Sequence, residues 1–165
     1  MFAIFDNCLT KKECKIYMNR IESWYSNCIT SKKNPMAWES RILNISREPI
    51  CERIQKFIET KVNVKTSLQS AELQCWPINS YSSPHVHSDE FQPNGRRDLS
   101  DYNSLLYLND NFSGGEFFTE TGLTIKPIPG RLTFFDGSIV THGVNKVLDH
   151  HRYTMIFWWK QTKFK

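Results

Sequence analysis

The sequence predicts a mainly β fold with helices at its N-terminal side: an α+β chain in which two to three helices pack outside an antiparallel double sheet of the jelly-roll type. Three observations predict it. The first 62 residues carry apolar positions at helical spacing, the period drops to two after Lys61, and short turn signals then separate many short apolar runs. The 165 residues fit one domain, with 1–62 as a helical support region and 68–160 as the jelly-roll core.

The elements follow in chain order. Thr10-Lys11-Lys12-Glu13 is a capping box, in which the threonine oxygen and the glutamate each satisfy a backbone N–H left over at a helix start. Cys14, Tyr17, Met18, Ile21, Trp24 and Tyr25 recur at steps of three and four and make one apolar stripe over roughly four turns. Ser31 to Pro35 breaks that helix. A second runs from about Glu48 to Lys61, with Pro49 suited to the first turn and Ile50, Ile54, Phe57 and Ile58 as its buried face. Strand-like alternation follows at Leu73 and Cys75 against Glu72 and Gln74, and at Leu105, Tyr107 and Asn109 against Leu106 and Leu108. Further strand-like runs are 115–120, 123–126, 131–135, 139–144 and 152–159, with turns at 113–115, 127–130 and 136–137. Residues 79–102 stand apart. They are rich in Ser, Pro, Asn and charge, and loops of that length inside a domain are often functional.

Composition narrows the class. With 39% apolar and 23% charged residues the chain reads as soluble and globular. A net charge of +4 gives no nucleic-acid signal, and the pairs Lys32-Lys33 and Arg96-Arg97 read as solvated surface or as a weak attraction for an anionic substrate. Five cysteines without C-x-x-C spacing argue against a disulfide scaffold or zinc ribbon and for buried free thiols. No signal peptide and no membrane-length apolar run is evident, so the expectation is a cytoplasmic protein with no membrane partner.

The chemistry centres on His87-Ser88-Asp89. Residues two apart on a strand share a face, so an imidazole and a carboxylate can take neighbouring positions on one metal. A second imidazole from a distant strand completes a facial set of two histidines and one carboxylate, which leaves positions open on iron(II) for a bidentate co-substrate and dioxygen. His142, inside the apolar run 139–144, is the third ligand this reading selects. Each residue has a plainer reading. His142 fits a core histidine bonded to a carbonyl, Asp89 fits a turn or cap, and H-x-D triplets arise by chance. His85 shares the face of His87 and is an alternative ligand. Ten residues after His142, Arg152 opens a run in which Arg152, Thr154, Ile156 and Trp158 share one face. A guanidinium inside a sandwich needs an anion. A dicarboxylic co-substrate would supply it, with two parallel hydrogen bonds from Arg152 and a third from Thr154. The plainer reading is an exposed arginine paired with Asp149.

Taken together, His87-Ser88-Asp89, Tyr107-Leu108-Asn109, Gly114-Gly115-Glu116, Pro127-Ile128-Pro129-Gly130-Arg131-Leu132-Thr133-Phe134-Phe135, His142 and Arg152 stand in an order and spacing that resemble the prolyl-4-hydroxylase-type branch of the iron(II)/2-oxoglutarate dioxygenases. The resemblance covers about Trp76 to Lys160. It implies a double-stranded β-helix with the metal between its sheets, Fe(2+) as metal, 2-oxoglutarate and O2 as co-substrates, and L-ascorbate as reductant. It implies an enzyme that hydroxylates an unactivated C–H bond, most simply of a prolyl residue in a peptide or protein, and releases succinate and CO2. It gives Tyr107 a hydrogen bond to the co-substrate carboxylate and places Trp158 near iron and substrate. Tyr81, Arg96 and Arg97 fall on the loop expected to approach substrate, with ordinary surface residues as the other reading. The sequence departs from many relatives ahead of H-x-D, where Cys75-Trp76-Pro77 replaces a tyrosine and glycine pattern. A nucleic-acid substrate is disfavoured, because no second arginine follows Arg152 in its run. A free amino acid substrate, a non-catalytic jelly-roll metal or ligand-binding module, and a zinc hydrolase are the competing readings.

Overall fold

A computed structural model describes residues 1–27, 41–87 and 100–162, apart from the side chains of 25–27 and 41. Asp89, Arg96, Arg97 and Cys28 lie outside the described residues. Strand β1 (Phe2–Phe5) is followed by helix α1 (Lys11–Asn27), β2 (Arg41–Asn44) and helix α2 (Pro49–Val62). Then come β3 (Thr66–Trp76), β4 (Ser82–His85), β5 (Tyr102–Tyr107), β6 (Phe117–Thr119), β7 (Thr124–Ile125), β8 (Leu132–Asp136), β9 (His142–Val144) and β10 (Arg152–Gln161).

Both predicted helices form, each for the expected reason. At α1 the Glu13 carboxylate accepts from the Thr10 backbone N–H (2.8 Å) and hydroxyl (2.9 Å), while the Glu13 N–H donates to Thr10 Oγ1 (3.2 Å). Helix α2 carries Pro49 in its first turn and closes on Asn63 in the left-handed conformation. Ile21, Ile54 and Ile58 are fully enclosed, each contributing about 1.5–3 kcal/mol by burial.

The strands build two antiparallel sheets, a major one of order β1-β8-β5-β10-β3-β2 and a minor one of order β4-β9-β6-β7. This is the anticipated jelly roll. Side-chain alternation divides the major sheet cleanly. Leu73, Cys75, Leu106, Leu108, Phe134, Tyr153, Met155, Phe157 and Trp159 belong to the core shared with Ile21, Ile54 and Ile58 of the helices. Their strand neighbours Leu105, Tyr107 and Phe135 pack instead with Phe117 and Ile125 of the minor sheet. The inner face also carries buried Glu72, Gln74, Asn103, Thr133, Arg152 and Thr154. Hydrophobic packing faces the helices, and polar chemistry faces the gap between the sheets.

Three strands were not anticipated. β1 and β2 are four-residue edge strands inside the expected helical region. Part of the irregular segment, Ser82–His85, pairs with β9 through Ser82↔Val144 and His85↔His142. Among the described residues Cys8, Cys14, Cys51 and Cys75 keep their thiols and form no disulfide, and no helix is long and apolar enough to cross a membrane.

Candidate active site

His87 and His142 reach the gap between the sheets from different parts of the minor sheet. His142 opens β9 and pairs with His85 of β4 and Thr119 of β6. Its ring stacks on Phe117 at 5.2 Å and meets the edge of Phe135 at 4.7 Å. His87 follows β4, anchored by its backbone N–H on the Gly137 carbonyl at 2.6 Å. The ligand atoms of His85, His87 and His142 lie within 4.8 Å of one another, which suits a metal ion.

The hydrogen bonds assign a consistent set of tautomers. His142 Nδ1 is 2.7 Å from the Val140 carbonyl, so that nitrogen carries the proton and Nε2 keeps its lone pair. His87 Nε2 lies 3.1 Å from His142 Nε2 and is then the donor. His87 Nδ1 in turn accepts from the indole N–H of Trp158 at 3.2 Å. His85 Nδ1 sits 2.8 Å from the Ser83 carbonyl, which again leaves Nε2 as the acceptor. His142 is thus a core histidine bonded to a carbonyl, and that bond leaves its Nε2 lone pair facing the histidine cluster. His85 stands within the cluster, so the structure keeps it beside His87 as a candidate ligand.

Behind the histidines, β10 aligns Arg152, Thr154, Ile156 and Trp158 along the inner face. They are flanked by Trp76, Gln74, Glu72 and Ser70 of β3, and by Tyr107, Leu105 and Asn103 of β5 opposite the last three. Arg152 is 0% exposed. The alternative of a surface arginine paired with Asp149 does not hold, because Asp149 instead accepts from the Ser113 N–H (2.6 Å) and hydroxyl (2.5 Å). The guanidinium lies over the rings of Trp76 (5.1 Å) and Tyr107 (5.5 Å). None of its three nitrogens has a hydrogen-bond partner, nor has the Tyr107 hydroxyl, the Thr154 hydroxyl or the neighbouring Thr133 hydroxyl. Burial pushes the Arg152 pKa down, against the opposing influence of Tyr107 and Glu116; burial likewise pushes Tyr107 up. The guanidinium nevertheless stays charged.

A buried cation without an anion costs several kcal/mol, and unsatisfied hydroxyls beside it add to that. A carboxylate placed among Arg152, Tyr107 and Thr154 would satisfy all three, so these residues fit the far end of a dicarboxylic acid. The expected turn at Gly114-Gly115 has positive φ at both residues (67° and 65°). It also has a part in the pocket: a Cβ on Gly115 would press to 3.0 Å from Arg152 Cδ.

Some residues behave otherwise than the sequence reading singled out. Tyr81 is 41% exposed and shows no described contact with the site. Trp76, a departure from the usual pattern, is a wall of the Arg152 pocket; its indole donates to Gln74 Oε1 (2.9 Å), and Gln74 Nε2 donates to Glu72 Oε2 (2.9 Å). That departure was the signal that could have found it. Glu22, Cys75 and His151 form a second group of ligand-type atoms. There the Tyr153 hydroxyl donates to Glu22 (2.6 Å), consistent with a structural network against α1.

A family model, the 2OG-Fe(II) oxygenase superfamily, matches residues 75–160. The chain belongs to that superfamily. Its members are named for iron(II) and 2-oxoglutarate, the groups the histidine cluster and the Arg152 pocket fit. Human Prolyl 3-hydroxylase 2 is 43% identical over 65 residues, and the mouse and rat proteins match equally. The match takes in 35% of this chain and 9% of that protein, so the chain spans a small part of the length of these curated relatives. Among solved structures, the viral collagen prolyl hydroxylase vCPH from Paramecium Bursaria Chlorella virus-1 superposes with a TM-score of 0.73 at 18% identity, over 96% of this chain and 94% of that one. A Pseudomonas putida prolyl-4-hydroxylase gives 0.69 at 16%, over 98% and 93%. A Trichoplax adhaerens prolyl hydroxylase gives 0.68 at 19%, over 96% and 83%. At these identities the likeness establishes the fold.

Proposed function

We propose that this superfamily member is an iron(II)- and 2-oxoglutarate-dependent oxygenase that hydroxylates a prolyl residue in a peptide or protein, releasing succinate and CO2. The observation that carries the reading is the enclosed Arg152 guanidinium with the unsatisfied Tyr107 and Thr154 hydroxyls beside it, a built receptor for a carboxylate within a family that uses 2-oxoglutarate. His87 and His142 would hold the iron, with Asp89 as the carboxylate ligand and His85 alongside. Bound iron supplies dioxygen activation, with ascorbate as the reductant that keeps it ferrous.

The chain's own residues do the rest. Arg152, Tyr107 and Thr154 bind the distal carboxylate and so fix the co-substrate along β10. His142 presents Nε2, held by its bond to Val140 and its contacts with Phe117 and Phe135. Trp158 donates to His87 Nδ1 in the metal-free protein, a bond that has to yield when His87 ligates through Nε2. The peptide substrate class is supported by the relatives, which are named as prolyl hydroxylases, one of them solved with a peptide fragment of hypoxia inducible factor.

The test incubates the protein with iron(II), ascorbate and 2-oxoglutarate and measures succinate, then screens proline-containing peptides for a gain of one oxygen by mass spectrometry. Succinate without any hydroxylated peptide would retain the oxygenase and turn the search to free amino acids. Absence of succinate under all conditions would leave a binding module. Asp89→Ala should abolish turnover with the fold intact by circular dichroism; retained turnover would place the carboxylate ligand elsewhere.

A further inference from the structure

Asn103 is the one buried side-chain amide among the described residues with an unsatisfied end. It is 0% exposed, and its Nδ2 has no hydrogen-bond partner. The other end is fixed, because Oδ1 accepts from the Ser100 hydroxyl at 3.3 Å. A buried amide in that state costs free energy unless something else uses its two N–H donors.

Its surroundings say where that something would sit. On the inner face Asn103 pairs across strands with Trp158 of β10 on one side and Phe135 of β8 on the other. Trp158 donates to His87, and Phe135 meets the ring edge of His142. Gly137 closes the third side: a Cβ there would fall 1.9 Å from Asn103 Oδ1 and 3.4 Å from His87 Cβ, so a glycine is needed to let the amide and the histidine approach. Asn103 therefore stands close to His87, with Phe135 between it and His142. It lies four residues along β5 from Tyr107, and thus at the opposite end of the inner face from Arg152.

We propose that Asn103 is a co-substrate-binding residue whose side-chain NH2 donates to the oxo-acid end of 2-oxoglutarate, the end that faces the metal. The inference rests on the co-substrate reading above and extends it. Arg152, Tyr107 and Thr154 grip one carboxylate, and Asn103 grips the other. An amide suits the position. It offers donors to an anionic oxygen without adding a charge, and it does not compete with a carboxylate for the metal as an aspartate would.

The experiment titrates 2-oxoglutarate anaerobically into the iron(II)-loaded protein and follows the metal-to-oxo-acid charge-transfer absorption. Iron(II) affinity and melting temperature are measured in parallel. The variants are Asn103→Leu, Asn103→Asp and, as control, Arg152→Ala. Asn103→Leu should bind iron as wild type does and melt no lower, since an apolar isostere removes an unsatisfied amide. Its 2-oxoglutarate affinity should fall about tenfold or more, the usual loss for a hydrogen bond to a charged group. Asn103→Asp should weaken the complex further by setting carboxylate against carboxylate. Wild-type affinity in both Asn103 variants, with affinity lost in Arg152→Ala, would overturn this inference and leave the co-substrate reading standing. Parallel loss of iron binding, melting temperature and co-substrate affinity would assign Asn103 a structural role and also overturn it. No charge-transfer absorption in the wild type would remove the co-substrate reading and this inference together.

Discussion

A guanidinium enclosed between two sheets, stacked on Trp76 and Tyr107 and with no hydrogen bond to any described residue, has the unmet demand that the proposed co-substrate would satisfy. Its removal should act on the ligand and spare the metal. Arg152→Ala is expected to weaken 2-oxoglutarate by about a hundredfold or more, in line with the 2–5 kcal/mol lost when one partner of a buried charged pair is truncated. Manganese(II) binding, measured by equilibrium dialysis, should stay near the wild-type value. Unchanged co-substrate affinity would mean the pocket lies elsewhere. Trp158 carries a subtler expectation. Its indole N–H holds the His87 tautomer whose proton sits on Nε2, whereas ligation through Nε2 needs that proton on Nδ1. Trp158→Phe removes a bond worth about 0.5–1.5 kcal/mol to the metal-free form. Metal affinity should therefore hold or tighten by a few-fold. A loss of tenfold or more would show that the indole supports the ligated ring instead.

At the scale of elements, the helices were legible from local chemistry alone. The Thr10/Glu13 capping box and the Ile50, Ile54, Ile58 spacing each depend only on residues within two turns. The long inner strands were legible because β3, β5 and β10 alternate across a sheet whose faces differ in polarity. Three of the short strands, β1, β2 and β4, were not. β1 and β2 have four residues each, too few to display a period, and β4 contains Pro84 and two serines; their places are fixed by pairing with β8, β3 and β9. The same distinction runs through the site. The convergence of His87 and His142 and the enclosure of Arg152 agree with what order and spacing suggested. The position of Asn103 beside His87 could not be read, because it arises from the registers of β5 with β8 and β10 and from the close approach of Gly137. The capping box also sets a pH expectation. Hydrogen bonds from Arg53 and from the Thr10 backbone and hydroxyl hold the Glu13 carboxyl at about 2, below its ordinary value of 4.5. A depressed folded-state value means the contribution is fully present above pH 4.5 and is lost as pH falls toward 2. In urea unfolding, Glu13→Gln should therefore narrow the stability difference between pH 6 and pH 3. An unaltered difference would show that the exposed Arg53 pair is screened into insignificance.

For the whole molecule, the division of the major sheet explains how a stable scaffold tolerates an unsatisfied site. One face packs Leu73, Leu106, Phe134, Met155, Phe157 and Trp159 together with both helices. The other keeps Asn103, Tyr107, Thr133, Arg152 and Thr154 with orphan polar atoms in its interior. Stability comes from the helix side, and the open positions of the inner side are available for ligands. That arrangement predicts strong linkage between ligand binding and unfolding. With a redox-inert metal present, 2-oxoglutarate at about 100 times its dissociation constant should add about 2.7 kcal/mol, which corresponds to roughly 5–10 °C in melting temperature for a chain of this size. Arg152→Met should shift the balance the other way. It replaces an uncompensated buried cation by an apolar side chain, so the ligand-free protein should melt higher than wild type while the gain from 2-oxoglutarate disappears. Differential scanning calorimetry of both proteins, with and without co-substrate, measures the two effects together. A variant that melts lower than wild type without ligand would show that Arg152 supports the fold through its stacking on Trp76 and Tyr107, and the inner face would then have to be counted as part of the scaffold.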